Sequence, residues 1–177
     1  MISIINYMKA MLPYILITLP IVIIIRIYKI KKNKKANWKY EITLLIFILF
    51  LIGLLSQAIL KDLNMFNINN VFKRLNLIPF KVFIDTYKEV FINNNISYFI
   101  INFLGNIIMF IPIGFLIPLL WNVNNKKVIL FGFLISLFIE TSQLFINRGT
   151  DIDDLILNTF GTILGLLFYK LLKKIKN

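Results

Sequence analysis

Five long apolar runs, joined by polar connections, decide what this chain can become. They lie roughly at 11–28, 41–60, 98–120, 128–146 and 154–171. About 20 apolar residues in a helix cross the hydrocarbon core of a bilayer. In lipid every backbone N–H and C=O must be satisfied within the segment, which favours helix. Hydrophobic residues make up 59% of the 177, against roughly 45–50% in a soluble domain. No connection is large enough for a soluble domain. The expectation is one all-α membrane domain spanning 1–177, with about five transmembrane helices.

Charge supplies the orientation. The net charge is +12. Segments 26–39, 126–127 and 170–176 hold thirteen of the twenty basic residues, and Glu41 is the only acid beside them. The remainder is neutral. If alternate connections lie on opposite sides, the whole excess falls on one side, which is the positive-inside pattern. That places the N-terminus outside and the C-terminus in the cytoplasm. A Lys-, Ile- and Asn-rich composition can follow genome base bias, but bias would not sort lysines by side. Trp38 and Tyr40 beside the basic run 29–39 mark an interface near anionic lipid. Nucleic acid is therefore not an expected partner.

The chain has no cysteine and no histidine. Disulfides, thiolate nucleophiles, zinc sites, histidine-ligated haem and Ser-His-Asp triads are excluded. The first run follows a single lysine, and no small-residue cleavage site follows it, so it reads as a retained helix. Pro13 and Pro20 are tolerated there, with Pro20 the expected kink. In the connection 61–97, Asn76-Leu-Ile-Pro79-Phe80 is a turn signal. Phe80, Phe83, Ile84, Tyr87 and Phe91 then recur at helical spacing. They read as a short amphipathic helix on the outer leaflet, or equally as a loop with aromatic anchors.

Polar groups inside apolar helices carry the functional signal. Half of the eight acidic residues fall between Glu140 and Asp154. Glu140, Gln143 and Asn147 share one helix face at i, i+3, i+7. Continued as helix, Glu140 would lie roughly 12 Å below Arg148. An ionised carboxylate alone at that depth costs several kcal/mol, so it is protonated, paired or beside a wet cavity. Asp151 fits a helix N-cap, with acids in the first turn. Asp154 and Asn158 continue on one face toward Gly161-x-x-x-Gly165, a small-residue packing seam. Asn102 and Asn106 lie one turn apart, and interhelical hydrogen bonding is their plainest use. Pro112 and Gly114 break the same helix. Together Asn102, Asn106, Glu140, Gln143, Arg148, Asp151, Asp154 and Asn158 are the expected binding residues, converging near one level.

These motifs resemble the VanZ-like family of small bacterial membrane proteins. The likeness covers most of the chain and is clearest over 75–170. It rests on Asn76-x-x-Pro79-Phe80, on Asn102-x-x-x-Asn106-x-x-x-Phe110-x-Pro112-x-Gly114, and on the string from Glu140 through Gln143, Arg148, Asp151, Asp153, Asp154, Asn158 and Gly161 to Gly165. No departure occurs at those positions. The resemblance implies a multi-pass protein of the cell membrane, in a family named for a protein that raises resistance to teicoplanin, a lipid-tailed glycopeptide.

Three functions follow as expectations. The first is a non-catalytic module that binds a lipid, a lipid-linked envelope molecule or a lipoglycopeptide in an outer-leaflet polar pocket. Arg148 would clamp a phosphate or carboxylate there. It needs no metal and no cofactor. The second is an intramembrane enzyme on a lipid-linked substrate, with Glu140 and Asp154 as candidate catalytic residues. Asp151, Asp153 and Asp154 could then hold Mg²⁺ or Mn²⁺ through oxygens. The third is a buried ion network of Glu140, Arg148 and Asp154 that only fixes packing. Transport would call for a homodimer, since five helices are few.

Overall fold

The computed structural model describes residues 2–33, 36–59, 75–146 and 148–176. The first part of the long connection and Asn147 lie outside the described residues. Among those described, five helices are long and apolar enough to cross a membrane. The protein is a multi-pass, all-α membrane protein. Its residues pack as two compact units, Met1–Leu63 and Asn64–Asn177.

The first unit is a helical hairpin. Helix α1 (Ile2–Asn33) continues through Pro13 and Pro20, and α2 (Trp38–Ala58) returns beside it. Asn37 caps α2 by accepting from the Tyr40 amide at 3.3 Å. Near the turn, Arg26 donates from Nε and Nη2 to the two carboxylate oxygens of Glu41, each at 2.7 Å. The same guanidinium sits 5.7 Å from the Tyr40 ring centre. Toward the other end Met11 packs on Gly53 so closely that a Cβ there would strike its methyl.

The second unit opens with a two-residue strand, β1 (Leu75–Asn76), and helix α3 (Lys81–Tyr87), which runs on as a π-helical turn over Lys88–Ile92. The region expected as amphipathic helix or anchored loop is thus helical. Helix α4 (Ile96–Leu120) crosses next and contains a π-helical stretch, Phe99–Leu104. Helix α5 (Asn125–Phe145) follows, capped by Asn124, which accepts from the Lys127 amide at 2.9 Å. Strand β2 (Thr150–Asp151) pairs in parallel with β1, and α6 (Ile152–Lys176) completes the chain.

Glycine lets α4 and α6 touch. A Cβ at Gly161 would hit the Ile107 carbonyl, one at Gly165 the Ile111 carbonyl, and one at Gly114 the Thr162 carbonyl. These are backbone atoms and cannot rotate away. The small-residue seam is therefore two-sided, and close packing of this kind is what holds helices together when lipid is as apolar as leucine. Phe110, Ile113, Ile117, Val128, Ile139, Leu157 and Leu166 fill the core around it. Val82 of α3 is buried with Ile107 and Leu157, so the short helix is docked on the α4–α6 surface.

Candidate functional site

The polar residues meet where α5 ends and α6 begins. Helix α5 stops at Phe145, and the Gln143 carbonyl accepts from the Ile146 and Arg148 amides, both at 3.2 Å. The chain then folds back. Thr150 Oγ1 donates to the Glu140 carbonyl at 2.6 Å, and the Asp151 amide reaches Glu140 Oε2 at 3.4 Å. The separation of roughly 12 Å expected between Glu140 and Arg148 assumed continuous helix. The turn removes it, and the charge of Arg148 acts on both Glu140 and Asp154.

Each acid has its own partners. Asp151 Oδ1 accepts from the Asp153 amide at 3.0 Å, which is the expected N-cap of α6. Its other oxygen, Oδ2, accepts from Asn76 Nδ2 at 2.8 Å, fixing β1 to β2 side by side. Asp153 is only 2% exposed and points to α3. Its Oδ1 accepts from the Phe80 amide at 2.5 Å and its Oδ2 from the Val82 amide at 2.7 Å. Phe80 precedes α3 with φ 65°, a left-handed conformation uncommon outside glycine. A carboxylate here satisfies donors that α3 would otherwise leave open at its start. Asp154 Oδ1 accepts from Asn106 Nδ2 at 2.5 Å.

Asp151, Asp153 and Asp154 therefore face three different elements. Among the described residues no group of three or more acidic side chains is arranged to hold a metal ion. The three acids, which under the catalytic reading could hold Mg²⁺ or Mn²⁺ together, are each turned to a different partner. The partners of the acids extend to Asn76, Asn106 and the amides that open α3.

The eight expected binding residues do not share one level. Glu140, Asp151, Asp154, Arg148 and Asn106 come together. Gln143 is buried on the Glu140 face. Asn102 turns back on its own helix, donating to the Tyr98 carbonyl at 3.2 Å. Asn158 lies one helical turn deeper than Asp154, donating to Ser136 Oγ of α5 at 2.9 Å. Thr162 donates to the Asn158 carbonyl at 3.1 Å. Asn158 is thus held against a neighbouring helix, as the packing seam implied.

Sequence reading passed over several participants. Tyr98 at the start of α4 lies within electrostatic reach of Asp85, Glu89, Asp151 and Asp154. Thr150 and Asn76 tie the turn together, and Ser136 receives Asn158. Asn76 and Phe80 were visible as a turn motif, but not as partners of residues more than seventy positions away.

Similarity to known proteins covers α2 through most of α6. A family model described as VanZ/LLP1 matches residues 40–173. A curated relative, Protein VanZ of Enterococcus faecium, is 34% identical over 137 residues, covering 73% of this chain and 74% of that protein. No solved structure matches.

Proposed function

The chain belongs to the VanZ/LLP1 family, and from that premise we propose that it acts in the cell membrane, where it lowers susceptibility to lipid-tailed glycopeptides such as teicoplanin. It does so by binding a lipid or lipid-linked ligand in the polar site at the joined ends of α4, α5 and α6, on the outer side. No reaction on the ligand is part of this reading.

One observation supports it most. Asp151 and Asp153 are occupied in building the turn and α3, whereas Glu140 and Asp154 have lighter folding duties. Glu140 is met by one long amide contact at 3.4 Å, and Asp154 by a single asparagine. Carboxyl groups placed among membrane helices are expensive, and these two are retained with Arg148 beside them. Together they offer acceptors for hydroxyl or amine donors, next to a guanidinium suited to phosphate or carboxylate.

The test is susceptibility of a sensitive Gram-positive host to teicoplanin and to vancomycin. Wild-type protein is compared with Glu140→Gln and Arg148→Ala at matched membrane abundance. Protection selective for teicoplanin, and lost in both variants, is the expected result. Folded wild-type protein that gives no protection overturns the proposal.

A further inference from the structure

A second arrangement of side chains lies in the α1–α2 unit, on a face of α1 that the site above does not use. Ile24, Ile25, Tyr28, Lys29 and Lys32 share one open face of α1. Their spacing puts them on one side of the helix, in order along its axis. Ile24 and Ile25 form the apolar end, Tyr28 stands between, and Lys29 and Lys32 close the other end. All five are exposed, with Ile24 and Tyr28 each at 66%. Arg26, the nearby cation on the same helix, is held in its two-bonded pair with Glu41.

We propose that this face binds a single anionic phospholipid. Side chains three apart on a helix are neighbours, roughly 5–6 Å between Cβ atoms. Lys29 and Lys32 can therefore flank one phosphate with two ammonium groups. The isoleucines lie toward the apolar middle of α1, where an acyl chain runs. Tyr28 falls at the boundary, the level at which an amphipathic ring is most at home in a bilayer. The order apolar, amphipathic, cationic matches the order of chain, glycerol ester and phosphate in the lipid. A free phosphate would use only the lysine end. A second copy of this chain would bring its own basic run against these lysines.

The experiment uses the full chain, reconstituted in vesicles of phosphatidylcholine and phosphatidylglycerol in equal parts, then extracted in mild detergent. Lipid kept by the protein is counted by mass spectrometry. Wild-type protein keeps phosphatidylglycerol in preference to phosphatidylcholine. The double variant Lys29→Gln with Lys32→Gln loses that preference by roughly thirtyfold, the product of two lysines that each favour anionic lipid. The control, Lys126→Gln with Lys127→Gln, removes the same charge from the exposed start of α5 and keeps the preference. Ile24→Ser with Ile25→Ser weakens retention of long-chain lipid while the lysines remain. Equal loss in the control means diffuse attraction and overturns the site. So does competition by glycerol phosphate as effective as that by the whole lipid. Unchanged retention in the lysine double variant, or a dimer joined through Ile24 and Tyr28, overturns it as well.

Discussion

Two regions of this protein bring an arginine near carboxylates where one membrane helix gives way to the next, and they do it differently. In the α1–α2 hairpin one Arg meets one Glu, with both oxygens engaged at 2.7 Å. The pair is matched in charge and geometry, which is how a bidentate guanidinium–carboxylate contact fixes two elements. At the α5–α6 turn one arginine, Arg148, lies between Glu140 and Asp154 in a stretch with four acids, and its charge acts on Glu140 and Asp154. Their oxygens are met mainly by asparagines and backbone amides. A matched pair is sufficient to hold helices together. A surplus of acid over base goes beyond that need, and the surplus is where a ligand has something to do.

Breaking the turn should have the largest effect. Asp153→Ala removes both acceptors for the Phe80 and Val82 amides at a nearly fully buried position. A loss of about 3–4 kcal/mol is expected, since charge-assisted bonds contribute more than neutral ones and buried donors left unmet add a penalty. Thermal unfolding in detergent checks it. Asp153→Asn should recover only part, because one amide oxygen replaces two.

The glycine seam comes next. Gly165→Ala sets a methyl against the Ile111 carbonyl, and overpacking of this kind costs about 1–3 kcal/mol. The same unfolding assay should show this loss, while a leucine there should prevent accumulation in the membrane.

Glu41→Gln tests the other half of the comparison. It leaves Arg26 facing a neutral amide, at an expected cost of about 1–2 kcal/mol for a partly buried pair. Melting should fall, while teicoplanin protection at matched abundance should not. Loss of protection without loss of stability would dissolve the contrast between the two regions.

Glu140→Gln should be nearly silent in stability, within about 1 kcal/mol, because it keeps the side chain's shape and loses only a long amide contact. Protection should nevertheless disappear. A large drop in melting temperature instead would make Glu140 a structural acid like Asp153, and the polar site would shrink to Asp154 and Arg148.

The membrane helices were legible because lipid leaves so little choice. Each crossing needs an apolar run of fixed length, and the sequence displays five. Gly161 and Gly165 declared their seam through spacing alone, and Asp151 its cap through its place before an acidic first turn. Asp153 was not legible. Nothing local distinguishes it from Asp154, yet one builds α3 and the other meets Asn106. Its role depends on a pairing across 71 residues, and on a left-handed Phe80 that residue type does not announce.

That long-range pairing also sets an order of assembly. Phe80 and Val82 are synthesised 73 and 71 residues before the carboxylate that receives their amides. At roughly 5–20 residues per second, α3 waits several seconds for its cap while α4 and α5 enter the membrane. The polar turn therefore matures only after the last helix has begun to appear. A ribosome that stalls before Asp153 leaves a chain with two further crossings in place and no finished site. Premature termination there would leave the Phe80 and Val82 amides without the carboxylate that receives them.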